Sequence, residues 1–70
     1  MADLKVGDRV SWNTSQGRTR GRIVERKVRD FEFDAQHFTA SSDAPFFVVE
    51  SEKSGARAAH QAGALRKLKN

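Results

Sequence analysis

A chain of 70 residues has room for one domain, and folding at this size buries only about 60% of the unfolded chain's surface, so its core is thin. The absence of cysteine excludes disulfide bonds and thiolate metal sites, and no apolar run approaches the ~20 residues that a membrane-spanning helix requires. No signal peptide precedes the first strand pattern, so we expect a cytoplasmic protein with no membrane partner.

Charge is unevenly distributed along the chain. The net charge is +4 and the isoelectric point is about 10.1, which favours an anionic partner. All 13 lysines and arginines lie outside an acidic belt that consists of six residues: Asp30, Glu32, Asp34, Asp43, Glu50 and Glu52. Three interpretations are open: a basic surface for an anionic ligand, a solvated surface of mixed sign, or self-association of the belt with the basic flanks.

The first part of the chain predicts two strands. Residues 1–5 are interpreted as a flexible leader, and Val6–Trp12 as a strand with Val10 and Trp12 on one face, because side chains alternate along a strand. Residues 13–17 are polar and end in glycine, which predicts a loop. The second strand spans about residues 18–28, with a bulge or bend at Gly21.

The second part predicts an insert and three further elements. Residues 29–45 are either an extra hairpin or a loop, and Phe46–Glu52 is a strand with Phe47 and Val49 on its inner face. A turn at residues 53–55 leads to a partner strand at 56–60. A helical turn at 62–65 precedes a terminal strand at 66–68. The pattern predicts an all-β fold for the single domain 1–70: a small SH3-like barrel of about five short antiparallel strands with one short helical turn before the last strand.

A set of motifs in fixed order resembles a known family. They are Gly7-Asp8-Arg9-Val10-Ser11-Trp12, Gly21-x-Ile23-Val24, Asp30-Phe31, Ala40-Ser41-x-Asp43-x-Pro45, Val49-Glu50-Ser51-x-Lys53 and Ala58-Ala59-His60-x-x-x-Ala64-Leu65. Together they resemble the Tudor-like domain of the hypervirulence-associated protein family. The resemblance implies a Tudor-like barrel of a mostly bacterial family, and it implies no particular ligand.

A second set of motifs resembles the plasmid-borne, trimethoprim-insensitive type II dihydrofolate reductases. The shared motifs are Gly7-Asp8-Arg9-Val10, Gly21-x-Ile23-Val24, Val49-Glu50-Ser51-Glu52 and Ala64-Leu65. The chain departs from that family at Arg57-Ala58-Ala59-His60, where the enzymes carry a Val-Gln-Ile-Tyr run in their central pore. This resemblance implies, as an alternative, a pore-forming homotetramer that uses NADPH with absent or vestigial reductase activity.

Candidate ligand-binding residues come from charge and aromatic character. Arg18, Arg20 and Arg22 alternate along the second strand, and with Arg57 they predict a basic stripe for phosphate groups. The other interpretation is a solvated edge that prevents aggregation. Trp12 is expected near the site as a cation–π contact or, alternatively, in the core. His60 is expected there as a pH-sensitive anion contact or as a histidine that bonds to the next turn.

Other residues suggest an interface. Phe46 and Val48 form an exposed apolar patch unless the insert covers them. Ala58 and Ala59 permit close approach of another chain unless they only pack inside the barrel. No catalytic residue, metal site or resident cofactor is predicted, because no serine has a nucleophile elbow and the two histidines have no ligand spacing. We therefore expect a non-catalytic binding or assembly module for a protein or a nucleic-acid backbone, as a monomer or small homo-oligomer.

Overall fold

The computed structural model describes residues 4–15 and 17–68, and these are nearly all in short strands or turns. Five strands form an antiparallel sheet in the order β6-β5-β2-β1-β7, and two form a separate hairpin, β3-β4. The strands are β1 (Arg9–Thr14), β2 (Gly17–Lys27), β3 (Phe31–Phe33), β4 (Gln36–Phe38), β5 (Phe46–Ser51), β6 (Arg57–Gln61) and β7 (Arg66–Lys67), with a 3₁₀ turn at Ala62–Ala64. The predicted all-β barrel with a helical turn before its last strand is confirmed.

The core lies on the inner face of the curled sheet. It is built from alternate residues of three strands, as the two-residue side-chain period predicts: Val10, Trp12, Ile23, Phe47 and Val49. Leu4, Ala58 and Leu65 pack against this cluster from the margins. The predicted inner faces of the first and fifth strands are therefore confirmed.

In β2 the bulge and the glycine lie at different positions, although the sequence analysis placed the bulge at Gly21. The pairing of β2 with β5 shifts register between Ile23 and Glu25, so the bulge lies at Val24 and not at Gly21 as predicted. Gly21 instead marks a close approach of chains. A Cβ atom there would overlap the carbonyl oxygen of Glu50 and lie 2.7 Å from Cη2 of Trp12.

The barrel is completed by the last two strands. β6 and β7 are the opposite edges of the sheet, yet only Ala62–Ala64 and Leu65 separate them in the chain. Such a short connection requires the two edges to lie near each other, which curls the sheet. β7 pairs with β1, and the amide of Leu68 donates to the carbonyl of Arg9 at 2.9 Å.

The insert is a hairpin that covers part of the outer face of β5. Asp34 and Ala35 form its turn with left-handed backbone angles, φ 54° and 63°. The ring of Phe46 lies 5.8 Å from that of Phe31 and 5.2 Å from that of Phe38, measured between centroids. Val48, on the same face of β5 as Phe46, is only 1% exposed. Phe46 and Val48 therefore do not form an exposed apolar patch. Of the two interpretations from the sequence, the one in which the insert folds over these residues agrees with the structure.

Two boundaries differ from the sequence-based expectations. Residues 1–3 of the expected leader lie outside the described residues, but Leu4 packs on the core and the amide of Lys5 donates to Asp8 Oδ2 at 2.9 Å. The expected loop at 13–17 is shorter, because Asn13 pairs with Arg18 and Thr14 with Gly17. No helix among residues 4–15 and 17–68 is long and apolar enough to cross a bilayer.

Candidate functional site

The outer face of the sheet carries a row of charged side chains that crosses four strands. Arg9 of β1 lies opposite Arg22 of β2, Arg22 lies opposite Glu50 of β5, and Glu50 lies opposite Arg57 of β6. Residues that are directly opposite in antiparallel strands project to the same side of the sheet. These four side chains therefore share the outer surface.

A second row lies beside the first. Ser11 of β1 is opposite both Arg20 of β2 and Arg66 of β7, so the two arginines flank it on the outer surface. Arg18 is opposite Asn13, and its Nη1 atom reaches diagonally to donate to Ser11 Oγ at 3.0 Å. We call the whole surface the arginine face, and it consists of Arg9, Arg18, Arg20, Arg22, Arg57 and Arg66.

Two acids of the acidic belt lie on the arginine face. Glu52 accepts hydrogen bonds from Arg9 Nε at 2.9 Å and Nη2 at 3.1 Å, and Glu50 is 3.6 Å from Arg57. The bonds from Arg9 hold the pKa of the Glu52 carboxyl below its usual range. The positive charges of Arg22 and Arg20 lower this pKa further. Within the described part of the chain, no carboxylate lies within 4 Å of Arg18, Arg20, Arg22 or Arg66.

Between the tips of two hairpins the barrel opens into a groove of about 590 Å³. One wall is the β1–β2 hairpin and the other is the β5–β6 hairpin. Eight of its twelve described lining residues are basic or carry a hydroxyl group; the lining comprises Trp12, Thr14, Ser15, Gly17, Arg18, Thr19, Ser51, Lys53, Ser54, Ala56, Arg57 and Ala58. We call this groove the barrel mouth. Arg18 and Arg57 belong both to it and to the arginine face.

Trp12 and His60 lie inside the barrel and not on the arginine face. Trp12 is only 4% exposed, so its ring is a core residue, although it contributes to the floor of the barrel mouth. The ring of His60 is tilted by 43° against it with centroids 6.0 Å apart. Burial lowers the pKa of His60, which favours the neutral imidazole. Arg18, Arg66 and His60 border a second cleft of about 370 Å³.

The structure thus brings together some of the predicted residues and separates others. Arg18, Arg20, Arg22 and Arg57 share one surface, as the alternation along β2 indicated. Ala58 and Ala59 of β6 are half-buried: Ala58 packs against the core, whereas Ala59 lies opposite Val48 on the outer face of the sheet. Roles of Trp12, His60, Ala58 and Ala59 in binding stay predictions, and an interface at Phe46 and Val48 would require the β3–β4 hairpin to move away.

Sequence reasoning missed two members of the arginine face. Arg9 alternates with the buried Val10, so the two-residue period was a signal that could have placed it on the outer surface. Arg66 had no such signal, because β7 contains only two residues and therefore shows no alternation. The face on which Arg66 lies is set by the pairing of β7 with β1. No cluster of three or more metal-ligating side chains occurs in the ranges 4–15 and 17–68.

Comparison with known proteins identifies the family. The family model described as the hypervirulence associated proteins TUDOR domain matches residues 7–65. Searches of curated proteins and of solved structures gave no match. None of these comparisons supports the resemblance to type II dihydrofolate reductases, so the tetrameric reductase alternative has no support from them. Because the match spans most of the barrel, from the turn before β1 to the residue before β7, the chain belongs to the family of hypervirulence-associated protein TUDOR domains.

Proposed function

We propose that this domain is a non-catalytic module that binds the phosphate backbone of nucleic acids through the arginine face. The observation that carries the proposal is the lack of any carboxylate within 4 Å of Arg18, Arg20 and Arg22, among the residues that the structure describes. Their guanidinium groups project from alternate positions of one strand. Such groups suit bidentate contacts with phosphate oxygens.

The chemistry of the arginine face favours backbone contacts over base readout. The face is rich in guanidinium groups, and Trp12, the only tryptophan, is buried behind it. Phe31, Phe38 and Phe46 pack against one another on a different part of the molecule. Without aromatic side chains to stack on bases, binding rests on charge and is expected to be independent of sequence and sensitive to salt.

The two acids on the arginine face support a defined orientation of its arginines. Arg9 and Arg57 are the members that lie next to Glu52 and Glu50. Glu52 holds Arg9 through two hydrogen bonds, and Glu50 lies 3.6 Å from Arg57, while Arg20 and Arg22 of β2 have no carboxylate partner among the described residues. The other acids of the belt lie elsewhere: Asp30, Glu32 and Asp34 are in or next to the β3–β4 hairpin, where Asp30 is 3.7 Å from His37, and Asp43 is in the loop before β5.

The proposal is tested by fluorescence anisotropy with labelled duplex and single-stranded oligonucleotides at several salt concentrations. The affinity of the unmodified domain should fall with salt. In the double variant Arg20→Ala/Arg22→Ala, the slope of log K against log salt for duplex DNA should become shallower by about 1.8, because each lost phosphate contact removes about 0.9. Arg26→Ala/Arg29→Ala is the matched control, since it removes the same charge outside the arginine face.

Two results contradict the proposal. One is the absence of binding by the unmodified domain at low salt. The other is an equal loss of affinity in both double variants, which indicates attraction to net charge alone. Tighter binding to poly-glutamate than to either oligonucleotide would instead favour an acidic protein partner, the other expectation from the sequence.

A further inference from the structure

The inner face of the barrel changes character at its mouth. Along β1 the inner-facing side chains run from Val10 and Trp12 to Thr14, and along β5 they run from Val49 to Ser51. Thr19 of β2 lies opposite Trp12 and so shares its inner face. The interior of the barrel is thus apolar at its centre. Near the barrel mouth, the inner-facing residues of β1, β2 and β5 carry hydroxyl groups: Thr14, Thr19 and Ser51.

These hydroxyl groups are arranged to accept a polar ligand. Thr19 Oγ1 and Ser51 Oγ are 3.4 Å apart, which is long for a bond between hydroxyl groups. Ser51 Oγ also accepts the backbone N–H of Lys53 at 3.2 Å, and Ser54 Oγ accepts the N–H of Ala56 at 3.3 Å. Both serines therefore accept from the turn and can direct their own protons into the groove.

The charged side chains among the described lining residues of the barrel mouth are all positive. Its lining includes Arg18, Lys53 and Arg57, and no aspartate or glutamate is among its described lining residues. Of the nearest acids along the chain, Glu52 is bound to Arg9, and Glu50 lies 3.6 Å from Arg57 at one side of the groove. A groove with hydroxyl donors, two kinds of cationic donor and no acid among its described lining residues suits an anion that has several acceptor oxygens.

We infer that the barrel mouth binds the terminal phosphate monoester of a nucleic-acid strand, an inference that rests on the proposed function. A terminal monoester carries about −1.5 to −2 charges near neutral pH, whereas each internal phosphodiester carries one. The groove is recessed between two hairpin tips, so a chain end enters it more easily than a continuous backbone does. Arg18 and Arg57 border both surfaces, which places the end of a strand in the mouth when its backbone lies on the arginine face.

The test compares oligonucleotides of one sequence that end in a 5′-phosphate, a 3′-phosphate or hydroxyl groups only. The unmodified domain should bind at least one phosphorylated form about tenfold more tightly than the hydroxyl form, since charged hydrogen bonds are about twice as strong as neutral ones. Lys53→Gln should abolish this preference by lowering the affinity for the phosphorylated form, with only the smaller loss expected for one removed charge in the hydroxyl form. Lys5→Gln removes the same charge before β1, outside the groove lining, and should keep the preference.

The outcomes separate this inference from the proposed function. Equal binding of all three oligonucleotides overturns the terminal-phosphate site and leaves backbone binding intact. No binding of any oligonucleotide overturns both. Lys53-dependent binding of a phosphoserine peptide that is tighter than binding of the phosphorylated oligonucleotides overturns the assignment to nucleic acid.

Discussion

Arg9 and Glu52 join the first strand to the end of the fifth through a two-pronged ion pair. Arg9 Nε and Nη2 donate to the two carboxylate oxygens at 2.9 and 3.1 Å, across a separation of 43 residues. Arg9 lies directly opposite Arg22, an arrangement of like charges that would be unfavourable alone. Glu52 offsets this repulsion, so the sheet stays stable although several arginines lie close together on the arginine face.

Glu52→Gln is expected to strengthen binding of oligonucleotides and weaken the fold. The variant removes the negative charge that faces Arg9, Arg20 and Arg22, which leaves more positive potential for phosphate groups. Because the pKa of Glu52 is lowered in the folded state, its contribution to stability is present above the ordinary glutamate pKa of about 4.3 and is lost as pH falls through the folded value. The stability of Glu52→Gln should therefore depend less on pH in the acid range.

Anisotropy titrations and urea unfolding at several acid pH values measure these two effects. Glu32→Gln is the matched control, because Glu32 lies on the separate β3–β4 hairpin. An equal rise in affinity in both variants would show that only net charge matters and that the location of Glu52 does not.

Gly21→Ala is expected to destabilise the barrel by roughly 1–3 kcal/mol, because overpacking in a dense core forces neighbouring atoms to move. An added Cβ would overlap the carbonyl oxygen of Glu50 and would meet Cη2 of Trp12 at 2.7 Å. Urea unfolding followed by the fluorescence of Trp12 measures the loss. Gly63→Ala is the control, since nothing lies within 4 Å of its added Cβ, and a comparable loss there would contradict the close approach at Gly21.

Local sequence patterns predicted the main sheet because its strands follow a simple physical rule. Val10 and Trp12, and likewise Phe47 and Val49, alternate with outward residues, and both pairs are in the core. The bulge was misplaced because the sequence offers Gly21 as the obvious irregular residue. The register shift lies instead at Val24, where the adjacent apolar residues Ile23 and Val24 break the two-residue alternation.

Local sequence patterns could not predict the conformation of the insert or the complete arginine face. The turn of the β3–β4 hairpin has Asp34 and Ala35 in left-handed conformations without a glycine, so the usual turn signal is missing. The alternation of Arg18, Arg20 and Arg22 was visible in the sequence. The meeting of Arg9 with Glu52, and of Ser11 with Arg66, depends on the pairing of strands far apart in the chain.

His60 is expected to make the domain less stable below neutral pH. Burial lowers the pKa of His60 in the folded state, so protonation of its imidazole there is unfavourable. The stabilising contribution of neutral His60 is present above the ordinary histidine pKa of about 6.5 and is lost as pH falls through the folded value.

The His60→Gln variant should show a smaller loss of stability on acidification through this range, measured by urea unfolding at stepped pH. His37→Gln removes a histidine from the exposed hairpin and should keep the decline of the unmodified domain. The same pH dependence in the unmodified domain and in His60→Gln would contradict a role for His60 in this decline.

Ala35→Gly is expected to stabilise the domain by about 0.5–1 kcal/mol. A left-handed conformation costs an alanine about 1–2 kcal/mol, and glycine avoids this cost. Glycine also makes the unfolded chain more flexible, which offsets part of the stabilisation. Ala35 has φ 63° in the turn that holds Phe31 and Phe38 against Phe46. Because the turn is then more stable, the amides of the β3–β4 hairpin should also exchange their hydrogens more slowly with solvent. Ala44→Gly is the matched control: Ala44 is not among the residues with positive φ, so the same substitution should lower stability by about 0.4–1 kcal/mol. A fall in stability in both variants would show that the turn at Asp34 and Ala35 is not left-handed in solution.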